Sequence, residues 1–211
     1  MTPTPTMTRR ALVAGLAVTP VWASAQPSLL LPTPPGTRGP FYPETFPADT
    51  DADLVLLRGS DVRAAGTVAH VGGRVLAVDG TPLANAAVEV WQCDANGRYH
   101  HPGDSEGPAR DAAFQGYGRV LTGADGSYRF RTIRPVAYPG RTPHIHFAVQ
   151  APGRRALATQ MYVAGEPLNA ADFLYRSLRD GRERAAVTVA LDPANGVEPG
   201  ALAGTFDIVL G

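Results

Sequence analysis

From residue 66 onward the chain is a succession of short β-prone segments separated by turn residues. Residues 68–78 and 86–92 are rich in valine and flank the turn pair Asp79-Gly80, so they are predicted to form two antiparallel strands. Five later segments have the same character: residues 127–134, 144–149, 157–163, 186–191 and 205–210. Short strands, few helices and no strand–helix–strand rhythm predict an all-β fold, a β-sandwich.

Two other stretches interrupt this pattern. Residues 94–118 form a polar segment with many Gly, Pro and Asp, and a loop of this length is uncommon in a compact domain unless it has a function. A short helix is predicted from residue 170 to about residue 180, with Asn169 as its N-cap.

The length predicts one domain with an extension. The 211 residues are enough to bury one substantial core, which is assigned to a β-sandwich domain at residues 66–211. Residues 27–43 are rich in Pro, Gly and Thr, and residues 26–65 are predicted to form an extended N-terminal arm. The apolar run at residues 54–57 is expected to anchor this arm to the domain.

Residues 1–25 have the pattern of an export signal. Arg9 and Arg10 precede an apolar run at residues 11–21, and Ala23-Ser24-Ala25 is a small-residue cleavage pattern. The paired arginines favour the twin-arginine route, so an exported, periplasmic protein is expected. Met7 is an alternative start. The apolar run is shorter than the ~20 residues needed to cross a bilayer, so no membrane anchor is expected.

Charge and cysteine content exclude other classes of function. The 19 basic residues equal the 19 acidic ones and form no long runs, so neither nucleic acid nor a membrane surface is an expected partner. Cys93 is the only cysteine, which excludes an internal disulfide and a thiolate metal site, and it is predicted to be a buried apolar residue.

The stretch from Tyr138 to Phe147 is the densest in chemically active side chains. On a strand, His144 and His146 would project from one face, a spacing that suits a metal ion. The alternative is that each histidine is an ordinary structural residue. Tyr138 lies a few residues upstream, and the long loop offers a second phenol, Tyr99, which could equally be a packed ring with a hydrated hydroxyl.

If these four side chains converge, the nature of the metal follows from the donors. Two imidazoles with two phenolates form a hard, anionic site that suits ferric iron better than zinc or copper(I). A free tyrosine has a pKa of about 10, so only a strongly Lewis-acidic cation would keep two phenols deprotonated at neutral pH.

These motifs resemble those of a known enzyme family. Residues 91–102, Gly116-Tyr117-Gly118-Arg119, Asp125-Gly126-Ser127-Tyr128-Arg129-Phe130 and residues 138–147 resemble the intradiol ring-cleavage dioxygenases, in particular the protocatechuate 3,4-dioxygenase β-subunit-like branch. The resemblance implies an immunoglobulin-like or prealbumin-like sandwich that binds one Fe(III) per site. It also implies cleavage of a catechol-type ring between its two hydroxylated carbons by O2, which gives a muconate-type dicarboxylate.

The resemblance also implies roles for individual residues, each at the position that matches the family motif. It implies four metal ligands, namely Tyr99, Tyr138, His144 and His146. Among the catalytic residues that it implies, Tyr138 would also accept a substrate proton, Arg141 would stabilise negative charge on the ring and Gln160 would hydrogen-bond close to the metal-bound hydroxide. Pro40 and Tyr42 would line the substrate pocket.

Several alternatives stay open at this level. A non-catalytic prealbumin-like binding domain would share the segments at residues 80–88 and 125–130 but would not need Tyr99 or the histidine pair. Only six positions separate Tyr138 from His144, fewer than in the protocatechuate and catechol enzymes, so the identity of the catechol is left open, as is assembly into homo-oligomers. Three further histidines, His70, His100 and His101, are expected to lie outside the metal site.

Overall fold

The computed structural model of this protein describes residues 1–2 and 29–211. The predicted export signal at residues 1–25 lies outside the described residues except for Met1 and Thr2. None of the helices in the described ranges has the length and apolar character that crossing a membrane requires.

Most of the regular structure in the described residues is β. The strands are β1 (Val68–Ala77), β2 (Ala87–Trp91), β3 (Tyr117–Leu121), β4 (Ser127–Ile133), β5 (His144–Gln150), β6 (Leu157–Val163), β7 (Thr188–Val189), β8 (Asp192–Pro193), β9 (Leu202–Thr205) and β10 (Ile208–Leu210). The helical segments are a 3-10 turn (Pro167–Ala170), α1 (Phe173–Arg176) and α2 (Gly181–Val187).

The strands form two mixed, five-stranded sheets. In the first sheet β1 lies at the centre, paired with β4 on one side and with β9 and β10 on the other, and β8 pairs with β9. The second sheet has the order β3-β2-β5-β6-β7. The predicted antiparallel pair of β1 and β2 is therefore wrong, because the two strands belong to different sheets. Both edges of β1 are occupied by other strands, so the turn at Asp79-Gly80 leads the chain away to the second sheet.

One hydrophobic core receives side chains from both sheets. It includes Val71 and Phe130 of the first sheet and Val88 and Phe147 of the second. In β4 the aromatic residues Tyr128 and Phe130 are buried, while Ser127 and the two arginines of this strand are exposed or half-buried. Phe206, Ile208 and Leu210 near the C-terminus alternate along the chain and also lie in this core.

The arm crosses from the first sheet to the second. Thr33 exchanges two hydrogen bonds with Val209, from its amide at 3.0 Å and to its Oγ1 at 2.8 Å. Three residues later the amide of Gly36 donates to the carbonyl of Ala158 in β6 at 2.7 Å. Leu54 is fully buried in the core, so the predicted anchoring of the arm by this apolar run is confirmed.

The single helix predicted from residue 170 to about residue 180 is wrong. Asp172, rather than Asn169, is the N-cap of α1, and Asp180 is the N-cap of α2. The Asn169 side chain instead bonds to Thr142 Oγ1 and to the carbonyl of Val163, at 2.8 Å each. A side chain engaged in tertiary hydrogen bonds is not free to cap a helix, and the chain turns twice where one helix was expected.

Three strand boundaries also differ from the prediction. The β3 strand begins within the segment that was predicted as loop, so the loop between β2 and β3 covers residues 92–116. The strand predicted at residues 186–191 is instead the end of α2 followed by the short β7, and that predicted at residues 205–210 is divided between β9 and β10.

Cys93 is a free thiol that is 1% exposed, which confirms its predicted burial. Burial raises the pKa of this thiol to about 12, so it stays protonated and behaves as an apolar residue.

Candidate metal centre

The two histidines of β5 lie on the face of the second sheet opposite the core. Ile145 and Phe147 point into the core, while His144 and His146 point to the other face and are 1% and 2% exposed. The predicted alternation of this strand is therefore confirmed. The Nε2 atoms of the two imidazoles lie 3.2 Å apart, close to the roughly 3 Å expected of two nitrogens that bind one ion at about 2.1 Å.

Tyr99 and Tyr138 close the same space from two loops. The ring centroid of Tyr99 lies 5.5 Å from that of Tyr138 and 6.1 Å from that of His146, and the rings of Tyr138 and His144 are 5.5 Å apart. The Tyr99 amide donates to Asp104 Oδ2 at 2.6 Å, which fixes the loop at this position. The structure thus brings together the four side chains predicted as metal ligands, although Tyr99 and His146 are far apart in sequence.

The hydrogen bonding of these side chains leaves donor atoms free for a cation. His144 Nδ1 lies 2.6 Å from the carbonyl of Thr142 and must donate to it, so the lone pair is on Nε2, which faces the other rings. Tyr99 Oη is buried and has no hydrogen-bond partner among the described residues, and the same is true of His146 Nδ1. An orphaned phenol oxygen beside an imidazole lone pair fits a bound metal ion, because the ion would satisfy both.

The pKa shifts favour the metal-binding form of the two imidazoles but not that of the two phenols. Burial, reinforced by the Arg141 cation, lowers the pKa of His144 to about 4, and burial together with His144 lowers the pKa of His146 well below its ordinary value. Both imidazoles are therefore neutral at neutral pH, which is the form in which a histidine binds a metal ion. Burial raises the pKa of Tyr99. Burial also raises the pKa of Tyr138, and the Arg141 cation, which lowers it, offsets only part of this rise. Both phenols are therefore protonated at neutral pH unless a bound cation displaces the protons.

These shifts predict how the stability of the metal-free protein depends on pH. In the unfolded chain, His144 and His146 have a pKa of about 6.5 and become protonated below that pH. In the folded protein both stay neutral to a lower pH, because their pKa values are lowered. The free energy of unfolding should therefore fall as pH drops from 6.5 toward 4, at roughly 1.4 kcal/mol per pH unit for each histidine. Urea titrations of iron-free protein at pH 7, 6 and 5 measure this decline. A His146→Gln variant should show about half the slope, and equal stability at pH 7 and pH 5 in the parent would contradict the assignment.

Arg141 joins the rings to a chain of polar contacts. Its Nε donates to Asp172 Oδ2 at 2.8 Å, one terminal nitrogen donates to Gln160 Oε1 at 2.6 Å, and the other lies 3.4 Å from Tyr138 Oη. The Arg141 side chain is 9% exposed. All three guanidinium nitrogens have a partner, so the cation is fixed beside the phenol of Tyr138.

Gln160 lies opposite His146 in the pairing of β5 with β6. Its Oε1 accepts from Tyr162 Oη at 3.0 Å as well as from Arg141, and its Nε2 donates to the carbonyl of Thr37 at 3.2 Å. Gln160 therefore connects Arg141 to the arm.

The arm also covers the rings. Phe41 stacks on Tyr99 with centroids 4.7 Å apart, and a Cβ atom at Gly39 would lie 3.2 Å from His146 Cε1. Pro40, between these two residues, is exposed. Tyr42 donates to Glu89 Oε2 at 2.8 Å, so its hydroxyl is engaged with β2. The two predicted pocket residues thus lie on the arm segment that borders the four rings.

Two residues of this region were missed by sequence analysis. Trp91 stacks on His146 with ring centroids 4.9 Å apart and an interplanar angle of 10°, which follows from the pairing of these two positions between β2 and β5. Alternation in β2 indicates the face on which Trp91 lies, but not its partner. Asp172 binds Arg141, and the only local signal is an acidic residue directly before the apolar start of α1.

The other histidines have other contacts. His70 Nε2 lies 3.1 Å from Glu198 Oε2, and His101 Nδ1 accepts from the amide of Gly103 at 3.0 Å. The ring of His100 packs against Phe114.

Comparison with known proteins places this arrangement in context. A family model described as dioxygenase matches residues 37–211. The chain is 44% identical over 150 residues to the protocatechuate 3,4-dioxygenase beta chain of Burkholderia cepacia, a match that covers 66% of this chain and 63% of that protein. It is 37% identical over 154 residues to the 6-chlorohydroxyquinol 1,2-dioxygenase of Cupriavidus pinatubonensis, covering 64% of this chain and 51% of that protein. The chain therefore spans between half and two thirds of the length of these curated relatives.

One solved structure matches this chain over nearly its whole length. The dioxygenase domain of a dioxygenase and carbohydrate-binding protein fusion from Streptomyces sp. SirexAA-E is 36% identical, with a TM-score of 0.66, and the match covers 85% of this chain and 97% of that domain. The described fold is thus similar to that of a dioxygenase domain taken from a fusion protein.

Proposed function

Because this chain belongs to the intradiol ring-cleavage dioxygenase family, we propose that it opens a catechol-type aromatic ring between its two hydroxylated carbons. Both atoms of O2 would enter the product, a muconate-type dicarboxylate. The observation that carries this proposal is the convergence of two phenols and two imidazoles around one space, with Tyr99 Oη buried and without a partner among the described residues.

The proposed cofactor is one ferric ion, held by Tyr99, Tyr138, His144 and His146 on an immunoglobulin-like or prealbumin-like sandwich. The donor set supports iron(III), since two phenolates and two neutral imidazoles form a hard, anionic site. When bound, this ion would withdraw electron density from a chelated catecholate and make its ring the target of O2.

The two phenols are suited to different tasks. Tyr99 is 2% exposed and is packed beneath Phe41, so it is the fixed ligand. Tyr138 is only half-buried and has the Arg141 guanidinium 3.4 Å from its oxygen. Tyr138 Oη is therefore the atom that would accept a proton from the incoming catechol, and Arg141 would stabilise negative charge on the ring as it reacts.

The proposed cell location and the proposed division into domains rest on the sequence alone. An export signal at residues 1–25 would deliver an arm at residues 26–65 and a catalytic domain at residues 66–211 to the periplasm.

The decisive test is reconstitution of the purified, iron-free chain with ferric iron. We expect one iron per chain and an intense visible absorption from phenolate-to-iron charge transfer. We also expect O2 uptake with at least one member of a panel of catechols that differ in carboxylate, hydroxyl and halogen substituents, with product mass showing the addition of both oxygen atoms. A chain that stays colourless with iron and consumes no O2 with any catechol would contradict the proposal and favour a non-catalytic binding domain.

A further inference from the structure

Asp172 is buried at the back of the Arg141 guanidinium. Its side chain is fully buried, and Oδ2 accepts from Arg141 Nε at 2.8 Å and from the Thr142 amide at 3.0 Å. Oδ1 accepts from the amides of Leu174 and Tyr175 at 3.0 and 2.9 Å, which makes Asp172 the N-cap of α1. One carboxylate thus ties the start of a helix to the turn that carries Arg141.

The charge of Asp172 is maintained by these contacts. Burial alone would raise the pKa of a carboxyl group, but the hydrogen bonds from Tyr175, Arg141 and Thr142 outweigh it and hold the pKa of Asp172 below its ordinary value. Asp172 is therefore a buried anion that faces a nearly buried cation, and removal of either partner would leave the other uncompensated.

The geometry leaves Arg141 little freedom. Asp172 binds Nε, on the side of the guanidinium next to the stem, while Gln160 and Tyr138 lie beside the two terminal nitrogens. The 3.4 Å contact with Tyr138 Oη is long for a hydrogen bond and restrains the guanidinium plane little, so the plane depends on the Gln160 contact and on the 2.8 Å contact at Nε. Without it the long arginine side chain regains rotamer freedom.

We propose that Asp172 is a positioning residue, which holds the plane of Arg141 so that its terminal nitrogens face the reacting ring and Tyr138 Oη. This inference rests on the proposed function for its effect on turnover, but not for its effect on the motion of Arg141. Asp172 itself need not touch the substrate or the metal.

The chain offers a matched control. Asp180 caps α2 in the same way, with Oδ1 accepting from the amides of Arg182 and Glu183 at 2.8 and 3.0 Å, but it has no contact with Arg141. Asparagine is a good N-cap, so Asp172→Asn and Asp180→Asn both retain a cap. Only Asp172→Asn removes the anion that binds Arg141.

The first measurement is made on the iron-free protein. In 1H–15N spectra of the arginine side chains, Arg141 Nε–H, assigned from its absence in Arg141→Lys, should be a sharp signal with slow exchange in the parent and in Asp180→Asn. In Asp172→Asn it should broaden or exchange at least about tenfold faster. Fast exchange of this signal in the parent protein, at the rate of the exposed Arg129, would overturn the proposal even if Asp172→Asn did not fold.

The second measurement uses the iron-loaded enzyme. Asp172→Asn should lower kcat by roughly 10- to 100-fold, the range typical of lost outer-sphere partners, with KM changed less than threefold and the visible absorption unchanged. Asp180→Asn should have a kcat within about twofold of the parent. A kcat of Asp172→Asn equal to that of Asp180→Asn would overturn the positioning role. A parent protein that neither binds iron nor turns over a catechol would instead contradict the proposed function. The exchange measurement on the iron-free protein would still test whether Asp172 restrains Arg141.

Discussion

Replacing Tyr99 with phenylalanine is expected to weaken iron binding, to remove the Tyr99 contribution to the visible absorption and to lower turnover by more than the roughly 100-fold typical of lost outer-sphere partners. The substitution removes only Oη, and the ring can keep its stacking on Phe41. The lost atom is one of the two phenolate donors on which the proposed iron site depends. Iron titrations monitored by absorbance and metal analysis, followed by O2 uptake, measure the effect.

The same substitution should not destabilise the iron-free protein. Tyr99 Oη is buried without a hydrogen-bond partner among the described residues, so its removal relieves an unsatisfied polar group. We expect the free energy of unfolding to rise by about 1 kcal/mol or to stay unchanged. Weaker metal binding combined with an equally or more stable iron-free fold is a pattern that general damage to the protein would not produce.

Tyr128→Phe is the matched control for Tyr99→Phe. The hydroxyl of Tyr128 is also buried, but it donates to the carbonyl of Phe206 in the core. Its removal should destabilise the fold by roughly 1–3 kcal/mol and leave iron binding intact. Full iron occupancy and unchanged absorption in Tyr99→Phe would remove this residue from the site.

The part of this site that follows from sequence is the part fixed by local periodicity. The alternation of β5 puts His144 and His146 on one face whatever the neighbouring strands are, and the structure confirms this. The β-rich character is predictable for the same reason. Which strands pair is not, because alternating valine-rich segments such as β1 and β2 fit several neighbours equally well.

Long-range contacts account for the rest. Trp91 meets His146 only because β2 and β5 are adjacent in register, and Arg141 meets Asp172 across 31 positions of sequence. The helix prediction failed at the same place, since Asn169 was assigned the capping role that Asp172 performs. Local propensity treats Asn and Asp as equivalent caps, whereas the tertiary contacts of each side chain distinguish them.

Arg141→Ala is expected to leave the iron site coloured while turnover falls by about 100- to 1,000-fold. Arg141 is not among the four proposed ligands, so the charge-transfer absorption should persist, with a modest shift because a cation is removed from beside Tyr138 Oη. The loss of turnover follows if the guanidinium stabilises charge that develops on the ring in the transition state. Stopped-flow absorbance with a catechol under anaerobic conditions measures binding, and O2 uptake measures kcat.

The stability of the variants separates catalysis from folding. Arg141→Ala leaves the fully buried Asp172 carboxylate without its cation, which should cost about 3 kcal/mol or more of folding free energy. Arg141→Lys keeps a positive charge but cannot bind Asp172, Gln160 and Tyr138 at once through a planar fork, so it should fold better than the alanine variant and still turn over slowly. Arg129→Ala, at an exposed arginine of β4, should change neither property. An Arg141→Lys enzyme with the kcat of the parent would show that the position needs only a charge, and an Arg141→Ala enzyme with that kcat would show that it needs neither.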